Sequence, residues 1–263
     1  MTWGLAISLA ILVMAALWAI IPGVFTSYDP MTGVPSDALQ APSLTHLFGT
    51  DQLGRDNYAR LVYGSRLSLQ AIVTAVAIAL CVGSVFGLLA GFLGGFVDTV
   101  VMRAVDLLMS IPSLLLSLAL ITVLGPGTTN VAIAVGLASV ASFARLMRAE
   151  VMRVRTATFV EAATAVGARR SQILVRHVLP NASGPVLAMA ALELGGAVLA
   201  VSSLSFLGYG AQPPTPEWGS LISAGRDYMA TAWWLTLLPG LVVTAIVLAA
   251  NRIARAIERE EEL

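Results

Sequence analysis

Long stretches of this chain carry no charged residue, and their length dictates the solvent in which it folds. None precedes Asp29, none lies between Arg66 and Asp98, none between Asp106 and Arg145, and none between Asp227 and Arg252. A helix needs about 20 apolar residues to cross the hydrocarbon of a bilayer, so each run suffices. The run from Leu107 to Ala144 exceeds one crossing and holds Gly125-Pro126-Gly127 at its middle. That combination breaks helices and favours a tight turn, which predicts a helical hairpin. Ala182 to Leu207, interrupted only by Glu193, adds a further span. The expected fold is an all-α polytopic membrane protein of about six transmembrane helices. Composition agrees: with 57% hydrophobic and 11% charged residues, 263 residues are too apolar for one soluble core.

Arginine placement orients the spans. With six crossings both termini share a side, and that side holds Arg103, Arg145, Arg148, Arg153, Arg155, Arg169, Arg170, Arg176, Arg252, Arg255 and Arg259. The opposite side keeps only Arg55, Arg60, Arg66 and Arg226. Positively charged loops stay cytoplasmic, which predicts a multi-pass protein of the plasma membrane with both termini in the cytoplasm. The first apolar segment exceeds a signal-peptide core and is read as a retained span.

Every basic residue is an arginine; the chain has no lysine. A Walker A loop uses a lysine on the nucleotide phosphates, and no such string occurs, so ATP hydrolysis by that route is excluded for this chain. His46 and His177 fall on opposite predicted sides, and the single cysteine, Cys81, lies within a span, so neither a metal cluster nor a disulfide framework is expected. Cys81 is read as a small buried apolar side chain. The chain is expected to be a non-catalytic subunit with no cofactor, metal or nucleic-acid partner of its own.

Between two spans lies a polar segment, residues 158–181, TFVEAATAVGARRSQILVRHVLPN. Thr158 and Glu161 stand at capping-box spacing, which predicts a helix from Phe159. Ala162, Ala163 and Ala165 favour helix, and Gly167 is placed to end it in the left-handed conformation. A second helix is expected from about Ala168 to Leu179, with Ile173, Leu174, His177 and Val178 near one face and Pro180 as its stop. The product is a helix-turn-helix platform on the cytoplasmic membrane surface. Pattern alone is equally compatible with an interfacial hairpin that only links two spans.

The string Glu161-Ala162-Ala163, then Gly167, then Leu179-Pro180 resembles the EAA signature of bacterial ABC importer permeases. The external stretch HLFGTDQLGRDNYARLVYGSRLSL from His46, the stretch LSFLGYGAQPPTPEWG from Leu204, and Trp233-Trp234 ahead of Pro239-Gly240 resemble the dipeptide, oligopeptide and nickel branch of that family. The resemblance covers almost the whole chain. It implies a first span with external segment over residues 1–66, and a five-span core over 67–263. It also implies that Glu161, Ala162, Ala163, Gly167, Leu179 and Pro180 form a coupling segment seated on an ATPase. The implied partners are a homologous second permease, two ATP-binding-cassette subunits that bind ATP and Mg, an extracytoplasmic substrate-binding protein and membrane lipid. Three positions depart from the family: no basic tail precedes the first span, Val201 stands where an acid is expected, and RIARAIERE replaces a Gly-Asp pair near Ala254-Arg255.

Other residues have simpler readings. Glu193, in mid-span, should face the bundle interior or a water-filled path, because a charge in hydrocarbon is costly; it is the candidate path residue, or else a carboxyl that fixes helix packing. Asp98, Arg103 and Asp106 flank a cytoplasmic turn, and Arg103 can pair with Asp106 at helical spacing. Gly83, Gly87, Gly91, Gly94 and Gly95 suit close helix packing. Outside, Gly49 to Arg66 and Pro213 to Tyr228 form polar, aromatic-bearing segments. The resemblance makes them the binding-protein docking face, with Asp51, Arg55 and Trp218 as candidates, while Trp218, Tyr228, Trp233 and Trp234 also read as interfacial aromatics. The mechanism implied is alternating access driven by separate ATPases. Dipeptides or short oligopeptides are the expected solute, with nickel chelates, glutathione or haem behind. A secondary transporter, which would show inverted repeats, or a membrane scaffold are the readings from other classes.

Overall fold

A computed structural model describes residues 3–261. The helices, in order, are α1 (Trp3–Ile20), α2 (Asn57–Leu93), α3 (Gly95–Met109), α4 (Ser113–Leu124), α5 (Thr128–Arg155), α6 (Thr158–Ala165), α7 (Arg170–Ile173), α8 (Leu179–Phe206), α9 (Trp218–Gly225) and α10 (Trp234–Glu261). Among the described residues there is no strand; a single bridge pairs Thr50 with Asp56. Five helical stretches are long and apolar enough to cross a membrane, with α7 and α8 forming one of them. α3 and α4 make a sixth only as a pair, bent by 95° at their junction.

That bend lies upstream of the expected hairpin turn. The turn itself forms at Gly125 and Gly127, which take φ of +82° and +135° between α4 and α5. Pro112 supplies the additional break: it holds ψ at 132° as the N-cap of α4, and its carbonyl accepts the Leu116 N–H at 3.0 Å. Ser110–Pro112 carries no charge and lies between apolar runs, so hydropathy gives little sign of the interruption.

The centre is a seam between α2 and α5 built from glycine. A Cβ at Gly83 would lie 2.7 Å from the Val140 carbonyl oxygen, at Gly87 2.4 Å from that of Ala144, and at Gly91 2.9 Å from that of Arg148. Gly136 does the same from α5, against the Ala75 carbonyl at 2.7 Å. Close backbone approach of this kind is how small residues join helices in a membrane, where no hydrophobic effect drives them together. Gly94 and Gly95 are not part of the seam; with φ of +68° and +56° they turn the chain from α2 into α3. α8 packs across α2 and α5, α10 against α8, and α1 against α10. Two apolar clusters fill the bundle, one around Leu61, Ile121, Leu204 and Trp218 and one around Phe143, Val151, Val178 and Val186. Cys81 is exposed on α2 rather than buried, because the seam selects Gly83 and Gly87 on another face of the same helix.

Contacts divide the bundle into two poles. One gathers the α2–α3 turn, the end of α5, the 156–178 segment and the junction of Gly4 with Arg252. The other gathers the segment before α2, the α4–α5 turn and the α8–α10 connection, tied by the Gly127 N–H to the Tyr209 carbonyl at 2.8 Å.

Candidate functional site

The platform between α5 and α8 begins where Thr156 and Ala157 interrupt the helix. α6 starts at Thr158 itself, with Ala157 as an extended N-cap and no side-chain cap bond. The expected capping box is therefore absent: Thr158 lies inside the first turn, and the Glu161 N–H bonds the Ala157 carbonyl at 3.2 Å. The equivalent reach-back occurs one helix later, where Gln172 Oε1 accepts the Arg169 N–H at 3.1 Å. Gly167 closes α6 at φ +85°, its N–H on Thr164 and the Ala168 N–H on Ala163, each at 3.0 Å. This is the Schellman arrangement, which needs a left-handed residue at that position.

Pro180 does not stop the second helix. Residues Leu174–Val178 widen into a π turn, with the Leu179 N–H on the Leu174 carbonyl, and the chain continues as α8. Proline has no N–H for the preceding turn, and its ring crowds the carbonyl four residues back; a wider turn accommodates both effects. Asn181 Nδ2 donates to the His177 carbonyl at 2.6 Å across the same place.

Val160, Ile173 and Val178 turn inward and pack with Val151 and Val154 of α5. Outward the platform shows Phe159, Glu161, Ala162, Val166, Arg169, Arg170 and Val175, with Val166 85% exposed. Ala163 is half-buried, and Phe159 leans over His177 with ring centroids 6.4 Å apart. A face with unburied apolar side chains beside both signs of charge suits docking; among the described residues no group of three His, Cys, Asp or Glu side chains converges as metal ligands.

The end of α5 that carries the platform is tied to its neighbours by arginine. Arg148 grips Asp98 of α3 through two nitrogens, Nη2 to Oδ2 at 2.6 Å, and Arg145 pairs with Asp106. Arg155 donates to the Gly91 and Phe92 carbonyls at 3.3 and 3.1 Å, capping the end of α2. The expected Arg103–Asp106 pair does not form, since Asp106 faces α5. Glu193 points into the α5–α8 contact, where Ser139 Oγ donates to it at 2.6 Å.

At the opposite pole the candidate docking residues are enclosed. Asp51 accepts the Leu53 and Arg55 N–H groups at 2.9 and 3.0 Å and Arg55 Nε at 2.7 Å, so both residues shape their own loop. Arg60 lies 3.7 Å from Asp51 and bonds the Pro30 and Pro214 carbonyls at 2.8 and 3.3 Å, joining two distant segments. Trp218 is fully buried, its Nε1 on the Leu61 carbonyl at 3.1 Å, and Trp234 is buried with Nε1 3.4 Å from the Thr50 carbonyl. Of the expected interfacial tryptophans only Trp233 is exposed. His46 and Asp56 lie 2.9 Å apart, the Tyr28 ring sits 5.1 Å from that of His46, and Asp56 also caps α2 through the Ala59 N–H at 2.6 Å.

Glu217, unremarked in the sequence, is 1% exposed and accepts Ser205 Oγ and the Ala211 N–H, each at 2.6 Å. Its signal in the sequence is slight, a lone acid directly after Pro216 and before the Trp-Gly that opens α9.

A polytopic helical bundle with an exposed helical platform between its third long helix and the next defines a multi-pass membrane protein. The chain belongs to the family of binding-protein-dependent transport system inner membrane components, whose model matches residues 83–262. It is 40% identical over 247 residues to the dipeptide transport system permease protein DppC of Alkalihalophilus pseudofirmus, covering 94% of this chain and 81% of that protein. It is 41% identical over 249 residues to the glutathione transport system permease protein GsiD of Salmonella typhimurium, covering 94% and 80%. Among solved structures it resembles the MetNI methionine ABC transporter in inward-facing form, with a TM-score of 0.57 and 20% identity over 75% of this chain and 96% of that one. An amino acid ABC transporter matches with a TM-score of 0.60 and 15% identity over 77% and 94%. At those identities the likeness is one of fold. The chain is thus an ABC importer permease, a multi-pass component of the inner membrane.

Proposed function

We propose that this permease carries dipeptides or short oligopeptides into the cell, driven by ATP that separate subunits bind with Mg and hydrolyse. The observation that carries the reading is the exposed platform of Glu161, Ala162 and Gly167, rooted on α5 by Val160 and continuous with α8 through Leu179 and Pro180. A subunit seated there moves two long helices at once. One platform engages one ATPase, so a second, homologous permease and a second ATPase complete the assembly. Its pole is placed in the cytoplasm, and with it both termini. Lipid covers the apolar outer surface.

At the far pole an extracytoplasmic binding protein docks. Because Asp51, Arg55 and Trp218 lie inside, they act as the frame of that surface, and exposed neighbours such as Leu44, Leu47 and Leu53 make the contact. Glu193, on the α5–α8 contact, borders the path across the core of residues 67–263. The relatives named for dipeptide transport support the peptide solute, and the glutathione permease supports a second candidate, a modified tripeptide.

Gentle detergent extraction of the tagged chain from its host tests this reading by mass spectrometry. Recovery of a second permease and ATPase subunits is expected, and recovery of the chain alone would contradict it. In whole cells, Glu161→Ala should abolish uptake of a labelled dipeptide while leaving membrane insertion intact; undiminished uptake would contradict the coupling role.

A further inference from the structure

α3 is hinged at both ends and fastened between the hinges at two points. Gly94 and Gly95 join it to α2 with positive φ, and nothing lies within 4 Å of a Cβ placed at Gly95. Ser110–Pro112 joins it to α4 at the 95° bend. Of its own residues only Val105 is fully buried, against Ala141 and Ala144 of α5, with Val101 and Met102 partly buried beside it. That apolar contact is small for a helix of 15 residues and, being non-directional, does not fix its orientation. Its position is set by charge. Asp98 meets Arg148, and Asp106 meets Arg145, so α3 is held to the last turns of α5 at two points, one toward each of its own ends. The Asp98–Arg148 pair is two-pronged, and its side chains are only 22% and 30% exposed, which fixes orientation as well as distance. Just beyond these arginines α5 ends and α6 begins.

We propose that α3 is the lever through which the coupling platform moves the bent α3–α4 unit. The pairs Asp98–Arg148 and Asp106–Arg145 make α3 follow α5 when a partner displaces α6, and the motion is taken up at Gly94–Gly95 and at Ser110–Pro112. Without the pairs, α5 can shift while α3 stays with lipid and α2. Asp98, Asp106, Arg145 and Arg148 are positioning residues: they touch no solute and act on the path through α4. The inference rests on reading α6 as the ATPase-docking helix.

The test uses the assembled transporter, with its binding protein, in liposomes and radiolabelled dialanine as probe. Asp98→Asn with Asp106→Asn should leave subunit assembly and ATP hydrolysis in place while dialanine moved per ATP falls roughly fivefold, the loss that a coupling free energy of about 1 kcal/mol carries. Exchanging the partners, Asp98→Arg with Arg148→Asp, should restore most of that ratio relative to Asp98→Asn. An unchanged ratio in the double variant, loss of assembly in it, or an assembled exchange variant no better than Asp98→Asn each overturns the lever. A wild-type assembly that hydrolyses ATP but moves no dialanine counts instead against the peptide reading. Spin labels then decide the lever without a solute, using Val100→Cys on α3 and Val166→Cys on the platform, with Cys81→Ala. Their spacing should hold constant between nucleotide-free and vanadate-trapped states in the otherwise wild-type chain and shift when Asp98 and Asp106 are neutralised; the same behaviour in both overturns it.

Discussion

A single carboxylate, Glu217, shows how much one side chain can settle at the pole opposite the platform. It accepts from Ser205 on α8 and from the Ala211 backbone, and Thr128 Oγ1 at the start of α5 lies 3.4 Å away. A Cβ at Gly210 would fall 2.4 Å from its Oε2, so the chain passes close to the acid. Removing it strands one buried donor, Ser205 Oγ, and the part-buried Ala211 N–H, and an unpaired buried donor costs about 1–3 kcal/mol. Glu217→Ala is expected to destabilise the purified protein by about 3 kcal/mol or more, whereas Glu217→Gln, which keeps an acceptor, should lose about 1 kcal/mol; thermal unfolding in detergent measures both. Individual roles at this pole were the least legible part of the sequence. Charged and aromatic residues outside a span mark an aqueous segment, but nothing in their order tells which side chains turn inward, and Asp51, Arg55, Trp218 and Trp234 all do.

Helices were far easier to read, because a charge-free run longer than the hydrocarbon is thick has few alternatives. The Gly125–Gly127 turn was legible for a similar reason, and Gly167 for its freedom at positive φ. The misreadings came from proline and threonine, whose local preferences yielded to tertiary packing. Pro180 looked like a stop, yet Ile173 and Val178 are both anchored on α5, so the helix widens into a π turn instead of ending. Pro180→Ala restores the missing donor and should let residues 174–178 tighten toward α geometry. Amide exchange at residues 179–183 should then slow while insertion stays unchanged; unaltered exchange would mean that packing alone sustains the π turn. Along the α2–α5 seam the prediction is harsher. Gly87→Ala forces a Cβ onto a backbone oxygen and is expected to cost about 1–3 kcal/mol, read from thermal unfolding, with Gly87→Leu failing to accumulate in membranes.

Across the whole molecule, polarity is the property that matters, since one end bears an exposed platform and the other a closed, hydrogen-bonded rim. In a Cys81→Ala background, Val166→Cys should react with an impermeant thiol reagent only when the cytoplasmic side is opened, and Leu44→Cys, 99% exposed in the native residue, from outside intact cells. Labelling in the reverse sense would invert the orientation drawn from the arginines. The seam joining the poles has one more consequence, for heredity. The atoms that bar a side chain from positions 83, 87 and 91 include, beside the Cβ atoms of Phe143, Met147 and Val151, the main-chain oxygens of residues 140, 144 and 148. No exchange of amino acid on α5 can remove an oxygen that every amino acid carries. A strain disabled at one of these glycines should therefore yield true revertants and no compensating changes opposite, leaving the three codons closed to the paired drift open to ordinary side-chain contacts.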